Sequence, residues 1–285
     1  RLPVPSNQPS PSLPVSLIPD RISASAYQRI INCPYQFFSA DGLKLKPLEE
    51  LSDELKKSGY GQLVHLILQI FHSGDKKHGK AFDQVITVNN RLEAESYLDD
   101  ISVKVFLKDV ENNVLHRSWL YRWQKHIPSY INWQIQHQLD WNTCLNEEYL
   151  EVKLNDSIEI YGRIDRIDIH NKNGTHAIID YKTGQTARQD DIENGENVQL
   201  SSYALLDDKA SEVSYLSVDS SNQKVETRSS LSGEELQKNL NDNSNRLIQL
   251  FKQMNKGAAL NAWGDDTVCR YCNFSGLCRK AEWSQ

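Results

Sequence analysis

IYGRIDRIDIHNKNGTHAIIDYKTG, residues 160–184, holds two apolar, β-rich runs joined by the turn signal Asn171-Lys172-Asn173-Gly174. Side chains of a strand alternate between faces. Asp180 and Lys182 therefore share one face of the second run, and Ile179 and Tyr181 share the other. The first run carries a further acid, Asp165, which antiparallel pairing places beside Asp180. Two carboxylates and an amine at the end of a buried sheet are costly. Such groups normally hold a metal or pair internally.

The chemistry that uses this set is metal-assisted phosphodiester hydrolysis. Hard oxygen ligands suit Mg2+ or Mn2+, shared with a phosphate. A lysine two residues beyond a ligand is placed to orient water or stabilise developing charge. Asp165 followed by Asp180-Tyr181-Lys182 resembles the D…(D/E)xK signature of the PD-(D/E)xK nuclease superfamily, and GRIDRID (162–168) with DYKTG (180–184) resembles its RecB-like branch. A bare DxK triplet occurs by chance, and a surface hairpin with solvated charges is the bland alternative.

Upstream, YGQLVHLILQIFH (60–72) reads as a strongly apolar helix with Gly61 and His65 on one face. A lone histidine there is ordinarily a hydrogen-bonded core residue. GQLVH, however, resembles the family's Gx(L/I)VH motif, whose histidine lies beside the metal. Downstream, 198–206 reads as a helix with Gln199 and Tyr203 four apart. That spacing matches the family's QxxxY motif, where the pair lies near the substrate phosphate. The resemblance thus implies Asp165, Asp180, His65 and the Tyr181 carbonyl as ligands of Mg2+ or Mn2+. It implies Lys182 as the residue that positions water, with Gln199 and Tyr203 holding substrate or lysine.

The remaining chain is organised around this hairpin. Residues 1–20 are Pro/Ser-rich and read as an extended linker without a core of their own, tethering residues 21–285 to something upstream. A helix is expected from Ser23 or Ser25 as N-cap to Cys33, ended by Pro34. Residues 84–146 read as a helical, amphipathic insertion with Leu98, Ile101, Val105 and Leu107 among its apolar positions. Trp119, Trp123, Trp133 and Trp141 in it form a stripe best read as core packing, and Pro128 breaks or kinks it. A strand, 147–154, leads into the hairpin, and Glu148 or Glu151 is a candidate supplementary acid. A further strand covers Glu212 to Val218, and a long polar helix begins after Ser232.

Charged residues make up 25% and hydrophobic ones 39%, a globular balance, and the formal net charge of −6 argues against a generally basic nucleic-acid binder. No apolar run approaches the roughly 20 residues that span a bilayer, and no secretion signal is visible. The chain opens with Arg, which suggests a piece of a longer polypeptide. A cytoplasmic location is expected. No Walker-type phosphate loop occurs, so a motor must lie elsewhere.

Five cysteines without a secretion signal point to metal or redox use more than to disulfides. Cys269, Cys272 and Cys278 form CxxCx5C within the cysteine-rich segment 264–285. A fourth ligand must come from Cys33 or Cys144. A cysteine upstream of the nuclease motifs, followed by Pro and aromatics, with CxxCx5C beyond them, resembles an iron–sulfur subgroup of these nucleases. That subgroup contains AddB-type helicase–nuclease subunits and CRISPR-adaptation exonucleases. The resemblance implies a 4Fe–4S cluster on Cys33, Cys269, Cys272 and Cys278, stapling the N- and C-terminal parts. Cys144 is then an ordinary buried thiol. Zinc is the rival occupant.

Together the ordered motifs imply an α/β, restriction-endonuclease-like core: a central mixed sheet flanked by helices. The activity implied is a metal-dependent, single-strand DNA exonuclease partnered by a helicase in double-strand break repair, with cleavage of the 5′-ended strand. The alternatives are a CRISPR-adaptation-type exonuclease, a non-catalytic iron–sulfur module that binds DNA ends or a partner, and a zinc-stapled binding domain.

Overall fold

The computed structural model describes residues 7–46, 57–110, 114–155 and 158–283. The side chains of Leu107 and Cys144 lie outside the described residues. The core is a mixed sheet organised around β3 (Ile158–His170). This strand pairs in parallel with β1 (Arg21–Ser23) and antiparallel with β2 (Trp141–Asn155) and β4 (His176–Lys182). Beyond β4 come β5 (Ala210–Ser217), parallel to it, and β6 (Glu226–Ser232), antiparallel to β5. The β3–β4 turn is made at Gly174, whose φ is +69°, a conformation open to glycine without steric cost.

Helices cover both faces. On one side lie α1 (Ala24–Asn32) and α2 (Pro34–Phe37). The Ser23 hydroxyl caps α1 by accepting from the Ala26 N–H at 3.1 Å, and Pro34 starts the next helix in the position where its missing N–H costs nothing. On the opposite side lie α3 (Lys57–Ser73), α4 (Arg91–Val110), α5 (Val114–Gln124) and α6 (Ile127–His137), with Pro128 in the first turn of α6. Later come α7 (Gln189–Glu193), α8 (Gln199–Ala204), α9 (Gly233–Asn255), α10 (Asp266–Cys269) and α11 (Ser275–Cys278). Among the described residues no helix is long and apolar enough to cross a membrane.

The alternation in β4 divides two cores. Ile178 packs with Ile160, Ile164, Leu200 and Leu247 against α1, α8 and α9, whereas Ile179 and Tyr181 pack with Val64, Leu68, Ile101 and Trp123 of the α3–α6 layer. Trp123 is fully buried and donates its Nε1–H to Ser102 at 2.9 Å, and Trp119 and Trp133 pack half-buried against the same core.

Two expectations need correction, and one strand is not foreseen. The helical insertion ends at His137, not 146, because Trp141–Asn146 already belong to β2 and pair with β3 up to His170. The Pro/Ser-rich stretch is not coreless: Leu13 is buried in the main core, and the Leu260 and Ala262 N–H groups donate to the carbonyls of Pro11 and Pro9. Strand β6 escapes the sequence reading, because ETRSSLS is polar and gains its strand state only by completing the sheet edge beside β5.

A buried ionic network ties β3 to the α3–α6 layer. Arg166, fully buried, donates to Asp168 at 2.7 Å, to Gln134 Oε1 at 2.8 Å and to Thr143 Oγ1 at 2.7 Å. Asp168 also accepts from His137 Nε2 at 2.7 Å, and the Arg166 charge with these hydrogen bonds holds its carboxyl well below the usual range despite burial. Both charges are paired and hydrogen-bonded, the condition under which buried ions are tolerated.

Candidate active site

Strands β3 and β4 and helix α3 converge at one end of the sheet. The register Arg166↔Ile179 sets Asp165 opposite Asp180 on the neighbouring strand. The Tyr181 N–H donates to Asp165 Oδ2 at 2.8 Å, which locks the two strands at this point. Helix α3 brings His65, whose Nδ1 lies 3.3 Å from Asp165 Oδ2 and whose ring meets the Tyr181 ring edge-on at 5.8 Å.

Two glycines make these approaches possible. A Cβ on Gly61 would stand 2.9 Å from Thr183 Oγ1, so only a glycine lets α3 settle this close to the end of β4. A Cβ on Gly162 would stand 3.1 Å from Leu206 and 3.2 Å from Tyr203, a tight contact to which those side chains would have to yield. The glycines of GQLVH and GRID thus ease the packing that delivers His65 and Tyr203.

Asp180 is buried and forms an ion pair with Lys182 Nζ. Gln199 sits between them: its Nε2 donates to Asp180 Oδ1 at 3.1 Å and to the Tyr203 hydroxyl at 3.0 Å, while its Oε1 accepts from Lys182 Nζ at 3.2 Å. Tyr215 adds a hydroxyl donated to Gln199 Oε1 at 3.2 Å, with Lys182 Nζ 4.9 Å from its ring centroid. Lys182 is therefore held on three sides.

A further acid completes the pocket. Among the described residues, the ligand atoms of His65, Glu147 and Asp165 lie within 4.8 Å of one another. They line a small cleft of about 270 Å3 with Gln62, Gln69 and Arg163. Glu147 has φ +55° in the middle of β2, a left-handed conformation rare for a side chain of this size. The sequence offers Glu148 and Glu151 as supplementary acids. Glu151 instead pairs with Arg21, and Glu147 is the acid that reaches the pocket. Nothing in the pattern NEEYLEV signals the positive φ that turns it there.

The electrostatics follow from crowding acids in a half-closed space. Burial and the neighbouring Asp165 charge push the Asp180 carboxyl up to about 7, against the pull of Lys182. Burial and Asp165 also raise Glu147. Burial opposes charge on His65, but Asp165, with Asp180 and Glu147 behind it, outweighs burial and raises its affinity for a proton. Carboxylates that repel one another across a few ångströms are relieved by a proton or a cation. An oxygen-rich set with one imidazole is a donor set that fits a divalent cation such as Mg2+ or Mn2+.

The cysteines stand apart from this pocket. Cys33, at the junction of α1 and α2, packs with Cys278 and Ala262 in a small apolar corner, with Tyr35, Val268 and Trp283 around it. Cys33, Cys269, Cys272 and Cys278 are all free thiols. Burial pushes the Cys278 thiol up to about 11, with further contributions from Cys33, Cys269 and Cys272. The Phe274 N–H donates to Cys272 Sγ at 3.4 Å. The sulfurs are not gathered into a set as tight as that of His65, Glu147 and Asp165.

A family model described as the PD-(D/E)XK nuclease superfamily matches residues 21–279. An uncharacterized protein of Rickettsia conorii is 26% identical over 194 residues, which is 67% of this chain and 22% of that protein. A protein of Desulforamulus reducens named as an ATP-dependent helicase/deoxyribonuclease subunit is 26% identical over 64% of this chain and 17% of its own length. One of the same name from Staphylococcus aureus is 24% identical over 64% of this chain and 17% of its own length. The chain thus spans about a fifth of the length of these relatives.

Proposed function

The chain belongs to the PD-(D/E)XK nuclease superfamily, and from that premise we propose that it is the divalent-metal-dependent exonuclease domain of a helicase–nuclease, hydrolysing single-stranded DNA in double-strand break repair. The observation that carries the chemistry is the joining of His65, Glu147 and Asp165 within 4.8 Å, beside the Asp180–Lys182 pair. The helicase coupling rests on the names of the relatives from D. reducens and S. aureus.

In this reading His65, Asp165, Asp180 and the Tyr181 carbonyl hold Mg2+ or Mn2+, with Glu147 as a further ligand. A divalent cation bound there supplies positive charge beside the phosphoryl oxygens and acidifies water. Lys182, fixed by Asp180 and Gln199, orients the attacking water and steadies charge on the phosphate. Gln199 and Tyr203 hold the lysine in register. The hydrogen bond from the Tyr181 N–H to Asp165 ties the two strands together beside the site.

We also propose a 4Fe–4S cluster on Cys33, Cys269, Cys272 and Cys278, as a structural staple. It is supported by the packing of Cys33 against Cys278 from opposite ends of the chain and by four free thiols. Cys144 then has no part in it. The domain would work in the cytoplasm, where DNA and a helicase partner are available.

The test is cleavage of 5′- and 3′-labelled single-stranded DNA with Mg2+ or Mn2+, by wild type and by Asp165→Ala, Asp180→Ala and Lys182→Ala. Wild-type digestion lost in all three variants and in EDTA is expected. Equal digestion by folded variants would overturn the reading. Iron and sulfide per chain after anaerobic purification check the cluster: roughly four irons are expected, and stoichiometric zinc without iron would refute it.

A further inference from the structure

A second cleft, of about 480 Å3, opens beside the metal pocket. Ser25 and Gln28 of α1, Tyr149 of β2, Tyr161 and Arg163 of β3, and Tyr203 of α8 contribute to its walls. Arg163 lines both cavities, and Gln199 and Tyr203 reach from the wall of this one toward Asp180 and Lys182. The two spaces are therefore neighbours across a single arginine.

The chemistry of the walls is specific. Tyr149, on the cleft wall, is 48% exposed. Its hydroxyl is nevertheless tied down, accepting from Arg21 at 2.8 Å, and its ring lies 6.0 Å from that of Tyr161. Arg21 in turn is held by Glu159 at 2.5 Å and stands over the Tyr161 ring at 5.0 Å. The ring of Tyr149 is thus anchored at one end with its apolar body open to solvent. Arg29, the other cation of the cleft wall, is committed to Asp41 at 2.7 Å. Arg163 has a looser neighbour, Glu147 at 3.9 Å, and its side chain is 66% exposed.

We propose that this cleft seats the nucleotide next to the scissile bond, its base stacked on Tyr149 and its phosphate toward Arg163. The proposal rests on the nuclease reading above and assigns the residues that seat one nucleotide of its strand. An aromatic face takes any base, but only one that is free of its own stack. A phosphate-binding arginine adds affinity without reading sequence. The site so described selects an unpaired strand over a duplex and tolerates every base.

Abasic scanning tests it. Single-stranded oligonucleotides of one sequence, each with one abasic position, are cleaved by wild type, Tyr149→Ala and Tyr149→Trp. The rate of the first cut from the strand's end is followed, and in wild type the position next to that cut is expected to raise KM about tenfold when its base is missing, the size of one stacking contact. Tyr149→Ala raises KM for the intact strand by a similar factor and is indifferent to that abasic site, with the loss carried by KM more than kcat. Tyr149→Trp restores the dependence. Wild type that cleaves DNA with no abasic-sensitive position, or Tyr149→Ala that keeps the sensitivity, overturns the cleft while leaving the nuclease. If wild type cleaves no DNA, the nuclease reading falls by itself. Fluorescence anisotropy with the same oligonucleotides then decides the cleft: base-dependent binding lost in Tyr149→Ala supports it, and equal binding by both proteins refutes it.

Discussion

Asp165 and Asp180 face each other across β3 and β4, and the first is clamped to the second's strand through the Tyr181 N–H at 2.8 Å. The fold therefore holds two like charges together by backbone geometry, and Asp180 bears the cost because it is the more deeply buried.

That cost can be read out at Asp180. Its folded carboxyl is raised from 3.8 to about 7 by burial and by Asp165. A raised acid loses stability as pH climbs from the unfolded value through the folded one. At pH 8 without metal, the charged form is therefore held at a penalty. Asp180→Asn is expected to raise Tm by roughly a few degrees under those conditions, while DNA cleavage falls at least about a hundredfold. A lower Tm for the amide variant would contradict this account.

Binding of a cation should relieve the same crowding. Millimolar Mn2+ or Mg2+ is expected to raise wild-type Tm, since a ligand that binds the folded state stabilises it by mass action. Glu147→Gln, Asp165→Asn and His65→Ala should each shrink the shift. Scanning fluorimetry with and without EDTA checks it, and an undiminished shift in Glu147→Gln would remove that residue from the metal site.

Arg166→Met should be among the most damaging substitutions. It leaves Asp168, fully buried, with His137 as its one remaining charge partner among the described residues. Removing one partner of a buried pair costs about 3–5 kcal/mol. The double variant Arg166→Met/Asp168→Leu should recover part of that loss, measurable by urea denaturation. No recovery would mean that packing around the guanidinium, not charge, dominates.

A pH effect follows from His72. It is half-buried beside the core, and burial of its ring together with Arg166 pushes its pKa well below 6.5. Its Nε2 accepts from Arg166 at 3.2 Å, a role open to neutral imidazole alone. The unfolded chain takes up a proton below about pH 6.5 that the fold refuses, so stability declines as pH falls from there, by up to about 1.4 kcal/mol per pH unit. His72→Gln should flatten the Tm profile between about pH 6.5 and 5. An unchanged slope would assign the acid sensitivity elsewhere.

The hairpin is legible in the sequence because period-2 alternation and a turn signal are local. Ile179 and Tyr181 enter one core and Ile178 another, as the alternation demands. The helix of GQLVH and the N-cap Ser23 are legible for the same reason. Glu147 is not, because its place depends on a left-handed backbone inside β2 that no residue type announces. The nucleotide-sized cleft is also hidden: it needs α1, β2, β3 and α8 together, from segments far apart in the chain. Leu13 reads as linker because a Pro-rich run carries no hydrophobic period, and its burial comes from the core shared with distant Leu260.

The clasp between Pro9–Pro11 and Leu260–Ala262, with Cys33 meeting Cys278 behind it, imposes an order of assembly. The β3–β4 hairpin closes a short turn, so its pairing costs little chain entropy. The clasp must bring together the two ends of the chain, and such closures come late because their entropy is lost before any contact rewards it. During synthesis the acids of the site can thus be in register while the cysteine corner is still open. The cluster proposed above would then be loaded onto a domain whose sheet is largely paired.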